Sequence, residues 1–224
     1  RWCSRRITRN SPPPSTGAGS SVSPARYAGG MSTPRAGRPR SSSLETLAEA
    51  ACELFLEQGF DATSIADIAR RAGVSRSSFF NYASSKSGLL WAGFDARLRD
   101  LSEALGREET SASALLAVFA DLAPDALALT IANAEAMGIA ADLERESAIR
   151  LSRIATAVSA AERGAGRDSM AADVAGSAHA GAAMTALRHW SLAGPGKRPL
   201  SVYLEQALGS VAGAILRRPA RRSG

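Results

Sequence analysis

Leu44, Leu47, Ala48, Ala51, Leu54 and Phe55 recur at intervals of three and four, and Glu45, Glu49, Glu53 and Glu57 fall between them. This spacing predicts an amphipathic helix over 44–58, ended by Gly59 in the position that follows a helix C-terminus. A second helix begins after Thr63 or Ser64, either of which can cap it. Ile65, Ile68 and Ala69 form its inner face, and it stops at Ala72–Gly73. After a short turn, Ser75 can cap a short helix containing Arg76 to Tyr82. Two short helices around a glycine turn, with a supporting helix before them, make a helix-turn-helix unit.

The apolar stripe Leu89, Leu90, Phe94, Leu98, Leu101 and Leu105 predicts a long helix over about 86–106. Further helices are expected near 111–122, 124–134, 139–163, 169–193 and 200–216. Gly164–Gly166 and Gly194–Gly196 are breaks, and Asp168 or Ser169 can cap the helix that follows the first of them. No segment alternates with period two for long enough to suggest a strand, so the fold class is all-α.

Charge divides the chain differently. Residues 1–40 hold eight Arg and no acid, and residues 217–224 hold four more Arg. With a formal net charge of +6, the body from 41 to 216 is therefore negative, at −6. A nucleic-acid partner would have to be met by a local surface and an arm, not by a basic body. Residues 1–30 combine Arg with Pro12–Pro14 and a Gly/Ser/Ala stretch that has little to pack. The first methionine is Met31, and translation from Met31 is expected. The expected organisation is a disordered basic extension and arm over 1–42, a helix-turn-helix domain over 43–87, a helical domain over 88–216 and a basic tail over 217–224.

Several chemistries drop out. No run of eighteen apolar residues is present, so no membrane-spanning helix and no membrane partner are expected. Cys3 and Cys52 cannot build a disulfide framework. His179 and His189 lie ten residues apart without paired acids or a cysteine nucleophile, so neither a metal site nor catalysis is expected, and no cofactor is required.

The informative stretch runs from Thr63 to Lys86. A short helix with polar groups outward suits the major groove, where base edges differ. Val74, Phe79 and Phe80 would anchor it against Ile65, Ile68, Leu54 and Phe55, leaving Arg76, Ser77, Ser78 and Asn81 outward. Arg76 could meet a guanine edge or a phosphate, and Asn81 an adenine or the backbone. Thr63 or Ser64, Ser75 and Lys86 suit phosphate, through helix N-termini and a point charge. The Ser and Thr residues could equally be ordinary caps. In the arm, Arg38 and Arg40 could enter a minor groove or serve only solubility.

Glu57-Gln-Gly-Phe60, Thr63-Ser-Ile-Ala-Asp-Ile-Ala69, Ala72-Gly-Val-Ser75 and Lys86, six residues after Phe80, resemble the TetR-type transcriptional regulators over about residues 44–94. Beyond residue 100 the likeness rests on length, helix count and Arg188-His189-Trp190. The resemblance implies a three-helix DNA-binding domain joined by a fourth helix to an all-helical ligand-binding and dimerisation domain. It also implies that Tyr82 meets the DNA backbone. Two positions depart from the pattern: Phe80 stands where Tyr is frequent, and Ala83 where Phe often packs.

For the second domain the resemblance implies a homodimer through the last two helices. Leu204, Leu208, Val211 and Ile215 supply one stripe, and Ala182, Ala183, Ala186, Leu187 and Trp190 supply a small-residue face. Intramolecular packing is the alternative for both. Leu116, Phe119, Leu122, Met137, Ile154, Met184, Leu187 and Trp190 could line a pocket for a small apolar effector. Phe79-Phe80-Asn-Tyr82 with Trp91 and Phe94-Asp95 resembles a subgroup that includes mycofactocin-system regulators, for which an acyl-CoA effector is plausible. The expectation is a cytoplasmic, ligand-responsive repressor binding a palindromic double-stranded operator as a dimer. The rival is a helical protein–protein adaptor with a non-reading helix-turn-helix.

Overall fold

The computed structural model describes residues 40–194 and 198–216, with side chains described over 44–194 and 198–212. Among these residues the chain forms helices and no strand: α1 Arg40–Gln58, α2 Ile65–Arg71, α3 Arg76–Phe79, α4 Lys86–Arg107, α5 Ser111–Phe119, α6 Ala126–Ala132, α7 Ala134–Met137, α8 Ala140–Gly164, α9 Ser169–Ala193 and α10 Leu200–Leu216. Residues 1–39, Arg38 among them, and the tail over 217–224 lie outside the described residues.

Most helix ends follow from local polar chemistry. Ser64, Ser75, Ser85, Thr110, Asp125 and Asp168 each accept a hydrogen bond from an amide of the first turn they precede. Four boundaries differ from the sequence expectation. Helix α1 starts at Arg40, which places that residue in the helix and not in an extended arm. Helix α3 ends at Phe79. The following amides of Asn81 and Tyr82 instead bond the carbonyls three residues back, at 3.2 and 2.9 Å. Helix α5 stops at Phe119 because Arg97 of α4 takes the Val118 and Asp121 carbonyls at 3.1 and 3.0 Å. A separate turn, α7, precedes α8, because Gly138 adopts φ +69° and reverses the chain there.

One apolar core runs through the described helices, and the expected division between residues 87 and 88 falls inside α4. Phe55, Ile68 and Phe79 are fully buried under the helix-turn-helix. Trp91, Phe94 and Phe119 join α4 to α5, the last two rings stacked at 4.6 Å. Each such buried ring contributes about 2 kcal/mol by removing apolar surface from water.

The helix-turn-helix is fastened to the rest at two places besides α4 itself. Cys52 Sγ lies 3.0 Å from Thr130 Oγ1, linking α1 to α6, and the Phe60 amide donates to the Met137 carbonyl at 2.8 Å. Helices α8 and α9 approach closely where Gly176 faces Ser159, whose hydroxyl donates to the Ala172 carbonyl at 3.2 Å.

Candidate nucleic-acid interface

Ser64 and Asp67 form a reciprocal cap on α2. The Asp67 amide donates to Ser64 Oγ at 3.1 Å, and the Ser64 amide donates to Asp67 Oδ2 at 3.0 Å. The Ser64 hydroxyl and amide, with Arg70 at 2.5 Å, hold the Asp67 carboxyl down to about 2. Arg71 braces α2 against α1 through both oxygens of Glu57, at 3.0 and 2.6 Å, and through Glu53 at 3.2 Å. That hydrogen-bonded guanidinium lowers the Glu57 carboxyl from its ordinary value.

Thr63, expected to suit phosphate, does not reach the surface. Its side chain is only 1% exposed, its hydroxyl donates to the Gly59 carbonyl at 2.8 Å, and it accepts from Gln58 Nε2 at 3.2 Å. The α1–α2 turn needs that hydroxyl to satisfy a carbonyl shielded from water. Ser64 alone caps α2 and remains exposed.

The turn between α2 and α3 passes through Gly73 at φ +69°, and Val74 returns an amide to the Ala69 carbonyl at 2.9 Å. A side chain other than glycine would strain this left-handed position. Ser75 Oγ then accepts from the Ser78 amide at 3.1 Å and lies 2.8 Å from both the Ser77 and Ser78 hydroxyls. Phe79 is completely buried and fixes the floor of the segment. Ser75, Arg76, Ser77 and Asn81 are exposed, while Ser78 and Tyr82 are half-buried. Arg76 makes no hydrogen bond or ion pair with another described residue. Phe80 corrects the expectation that it anchors the helix: it is 51% exposed and touches Phe79 only edge-on, at 5.5 Å between centroids.

Lys86 sits at the start of α4 and points back into the domain. Its Nζ donates to the carbonyls of Phe60 and Thr63, both at 2.7 Å, and lies 4.1 Å from the centre of the Phe60 ring. Two of the three ammonium donors thus tie α4 to the α1–α2 turn, and a phosphate could reach only the third.

Behind the segment lies an ionic cluster that the sequence reading missed. Arg150 of α8 is 5% exposed and bonds Asp95 of α4 at 2.6 Å, the Glu146 carboxylate and the Glu146 carbonyl at 3.0 Å. Its guanidinium lies 4.8 Å from the Trp91 ring centre. Arg153 also reaches Asp95, at 2.9 Å, and Ser87 donates to Glu146 at 3.1 Å. The available signal was the helical spacing of Ser87, Trp91 and Asp95 on α4 and of Glu146, Arg150 and Arg153 on α8. A cavity of about 640 Å³ beside this cluster is lined by Asn81, Tyr82, Ala92, Arg99 and Arg150 among others. Asn81 and Tyr82 therefore share a cavity wall with the α4–α8 contact.

Comparison with known proteins meets this geometry at the same residues. Residues 47–92 match the family profile described as bacterial regulatory proteins, tetR family. Over these residues, which hold α2, α3 and most of α1, the chain is similar to that family. Over 67 residues the chain is 40% identical to a Mycobacterium tuberculosis protein named as a mycofactocin biosynthesis transcriptional regulator. That stretch is 30% of this chain, and it spans 34% of the relative's length. Two solved structures are also similar. FadR of Thermus thermophilus, a TetR-family repressor in complex with lauroyl-CoA, is 23% identical with a TM-score of 0.43, covering 81% of this chain and 99% of its own. FadR of Bacillus subtilis, in complex with stearoyl-CoA, is 18% identical with a TM-score of 0.44, covering 74% and 96%.

Outside residues 47–92, the residues expected to line an effector pocket are packed together. Phe119, Leu122, Met137, Ile154, Met184, Leu187 and Trp190 are buried, Leu116 is partly buried against them, and none borders the 640 Å³ cavity. The residues expected at a dimer interface are turned inward. Ala183, Leu187, Leu204 and Leu208 are buried between α9 and α10 of a single chain, with Val211 half-buried, so they serve internal packing. Only the backbone of Ile215 is described. The outward stripe of α9 is Met170, Val174, Ser177, Thr185, Arg188 and Leu192, with Gly181 half-buried at its centre. No helix among the described residues is long and apolar enough to cross a membrane.

Proposed function

We propose that this protein is a non-catalytic, sequence-specific transcriptional regulator that binds a palindromic operator as a two-fold dimer and represses from it. The observation that carries the reading is the exposed polar strip Ser75, Arg76, Ser77 and Asn81 held over a fully buried Phe79, within the stretch similar to the tetR family. Arg76 and Asn81 carry the side-chain chemistry that pairs with guanine and adenine edges. Ser64, Ser75, Ser78, Tyr82 and the remaining donor of Lys86 are proposed to hold phosphates, which set register and not sequence.

The dimer is proposed to form through the outward stripe of α9. Met170, Val174 and Leu192 are 78%, 59% and 53% exposed, and Ser177 and Gly181 between them leave room for a second helix. A two-fold axis there would present two reading heads to half-sites about 34–36 Å apart or a multiple of that spacing.

The effector is proposed to be a small, mostly apolar molecule, with acyl-CoA the first class to test. It would act in the cytoplasm by favouring a state in which α4 moves the two heads out of register. A ligand shifts such a balance only through its difference in affinity between states. Because Leu116, Phe119, Met137, Ile154, Met184, Leu187 and Trp190 are close-packed here, an apolar ligand among them would have to separate α5, α8 and α9.

Selection of bound duplexes from random DNA tests the central claim. Wild-type protein should enrich a palindrome, and Arg76→Ala or Asn81→Ala should relax preference at particular positions. Uniform retention of all duplexes would end the regulator reading. Titration of the bound operator complex with acyl-CoAs of increasing chain length tests the effector class, with DNA release as the readout.

A further inference from the structure

Phe80 is the outlier of the reading segment. A phenylalanine beside a buried core ordinarily turns inward, yet this one leaves 51% of its surface exposed while its neighbour Phe79 fills the core completely. It follows α3 directly, and it and Asn81 are exposed, as are Ser75, Arg76 and Ser77 of the same short segment. The edge-on Phe79 ring, at 5.5 Å and 79° between planes, limits how far the Phe80 ring can swing. Isolated exposed apolar residues are common on proteins and need no purpose. This one lies in the chain between Arg76 and Asn81, two exposed side chains suited to base edges, on the part of the molecule that must meet DNA if the protein reads sequence.

A phenyl ring offers phosphate no donor. Within the major groove the one apolar feature of the four bases is the C5-methyl of thymine, which is also what separates thymine from the other bases on that edge. We infer that Phe80 reads a thymine methyl group, adding an apolar contact to the polar readout by Arg76 and Asn81. The inference rests on the DNA-reading proposal above. It assigns to this chain a specificity element that follows from Phe at position 80 together with its outward ring.

Replacing thymine by deoxyuridine removes the methyl and leaves every hydrogen-bonding atom in place. In the selected operator, this replacement at one symmetric pair of positions should weaken wild-type binding about four- to fifteenfold, the range from one to two fully buried methyls. Phe80→Ala should bind the thymine operator about as weakly and should not distinguish thymine from deoxyuridine. Phe80→Leu, which keeps an apolar surface, should retain part of the discrimination, and its thermal melt checks that the domain stays folded. If no thymine position responds to deoxyuridine in the wild type, or if Phe80→Ala keeps the full thymine-to-deoxyuridine difference, the inference is overturned while the regulator reading stands. If wild-type protein enriches no sequence at all, the regulator reading fails first.

Discussion

Gly176 of α9 lies so close to α8 that a Cβ built on it would stand 2.1 Å from Ser159 Oγ and 2.4 Å from the Ala155 carbonyl. The obstacle includes backbone, which cannot rotate aside as a side-chain tip can. Gly176→Ala should therefore push the two longest helices apart and lower stability by about 3 kcal/mol, the upper range for overpacking a dense core. Urea unfolding of the two proteins measures it. A change below half a kcal/mol would mean that the α8–α9 contact is looser than this geometry.

Arg150 is the buried link between α4, which continues from the helix-turn-helix, and α8. Arg150→Met would leave Asp95 and Glu146 facing each other without their shared cation. The expected loss is about 3 kcal/mol, the low end for a broken buried pair, because Glu146 loses its cation while Asp95 keeps only Arg153. Arg153→Ala, at a side chain 46% exposed, should cost less than about 1 kcal/mol. Thermal unfolding of both variants tests the contrast. Equal effects would show that Asp95 is solvated well enough to need neither arginine.

Asp67 predicts an acid-sensitive cap. Its carboxyl titrates at about 2 in the folded chain against an ordinary value of 3.8, so folding favours the ionised form. A depressed carboxylate pKa contributes stability above the unfolded value, and that contribution fades as pH falls through the folded one. The stability difference between wild type and Asp67→Asn should thus be constant near neutral pH and shrink between pH 4 and pH 2. Urea melts at a series of pH values check this, and a difference independent of pH down to 2 would contradict it.

The two faces of α9 and α10 predict opposite phenotypes. Val174→Asp, on the exposed stripe, should leave a folded chain that no longer associates. Leu204→Ala, at a position 1% exposed within the chain, should cost about 2–5 kcal/mol of stability without breaking the association at temperatures where it is folded. Light scattering and thermal melts separate these outcomes. An undisturbed dimer in Val174→Asp would remove the outer stripe from the interface.

What the sequence determined by itself was local. The amphipathic period of α1 and α4, the caps at Ser64, Ser75 and Asp168 and the turn at Gly73 depend on residues within four positions of one another. Their outcome was legible without the fold, as was the polar face of residues 75–81. Tertiary structure decided whatever depends on which partner comes near. Asp95 and Arg150 are 55 residues apart in the chain, and Lys86 meets the carbonyls of Phe60 and Thr63 only because α4 returns past the α1–α2 turn. Helix α9 carries apolar residues on every side, from buried Ala180 and Leu187 to exposed Met170 and Leu192, so its periodicity could not select an inner face. Only packing against α8 and α10 settled that choice: Gly176, Ala180 and Ala183 are buried where backbones approach, Met184, Leu187 and Trp190 are buried with them, and Met170, Val174 and Leu192 are left outside.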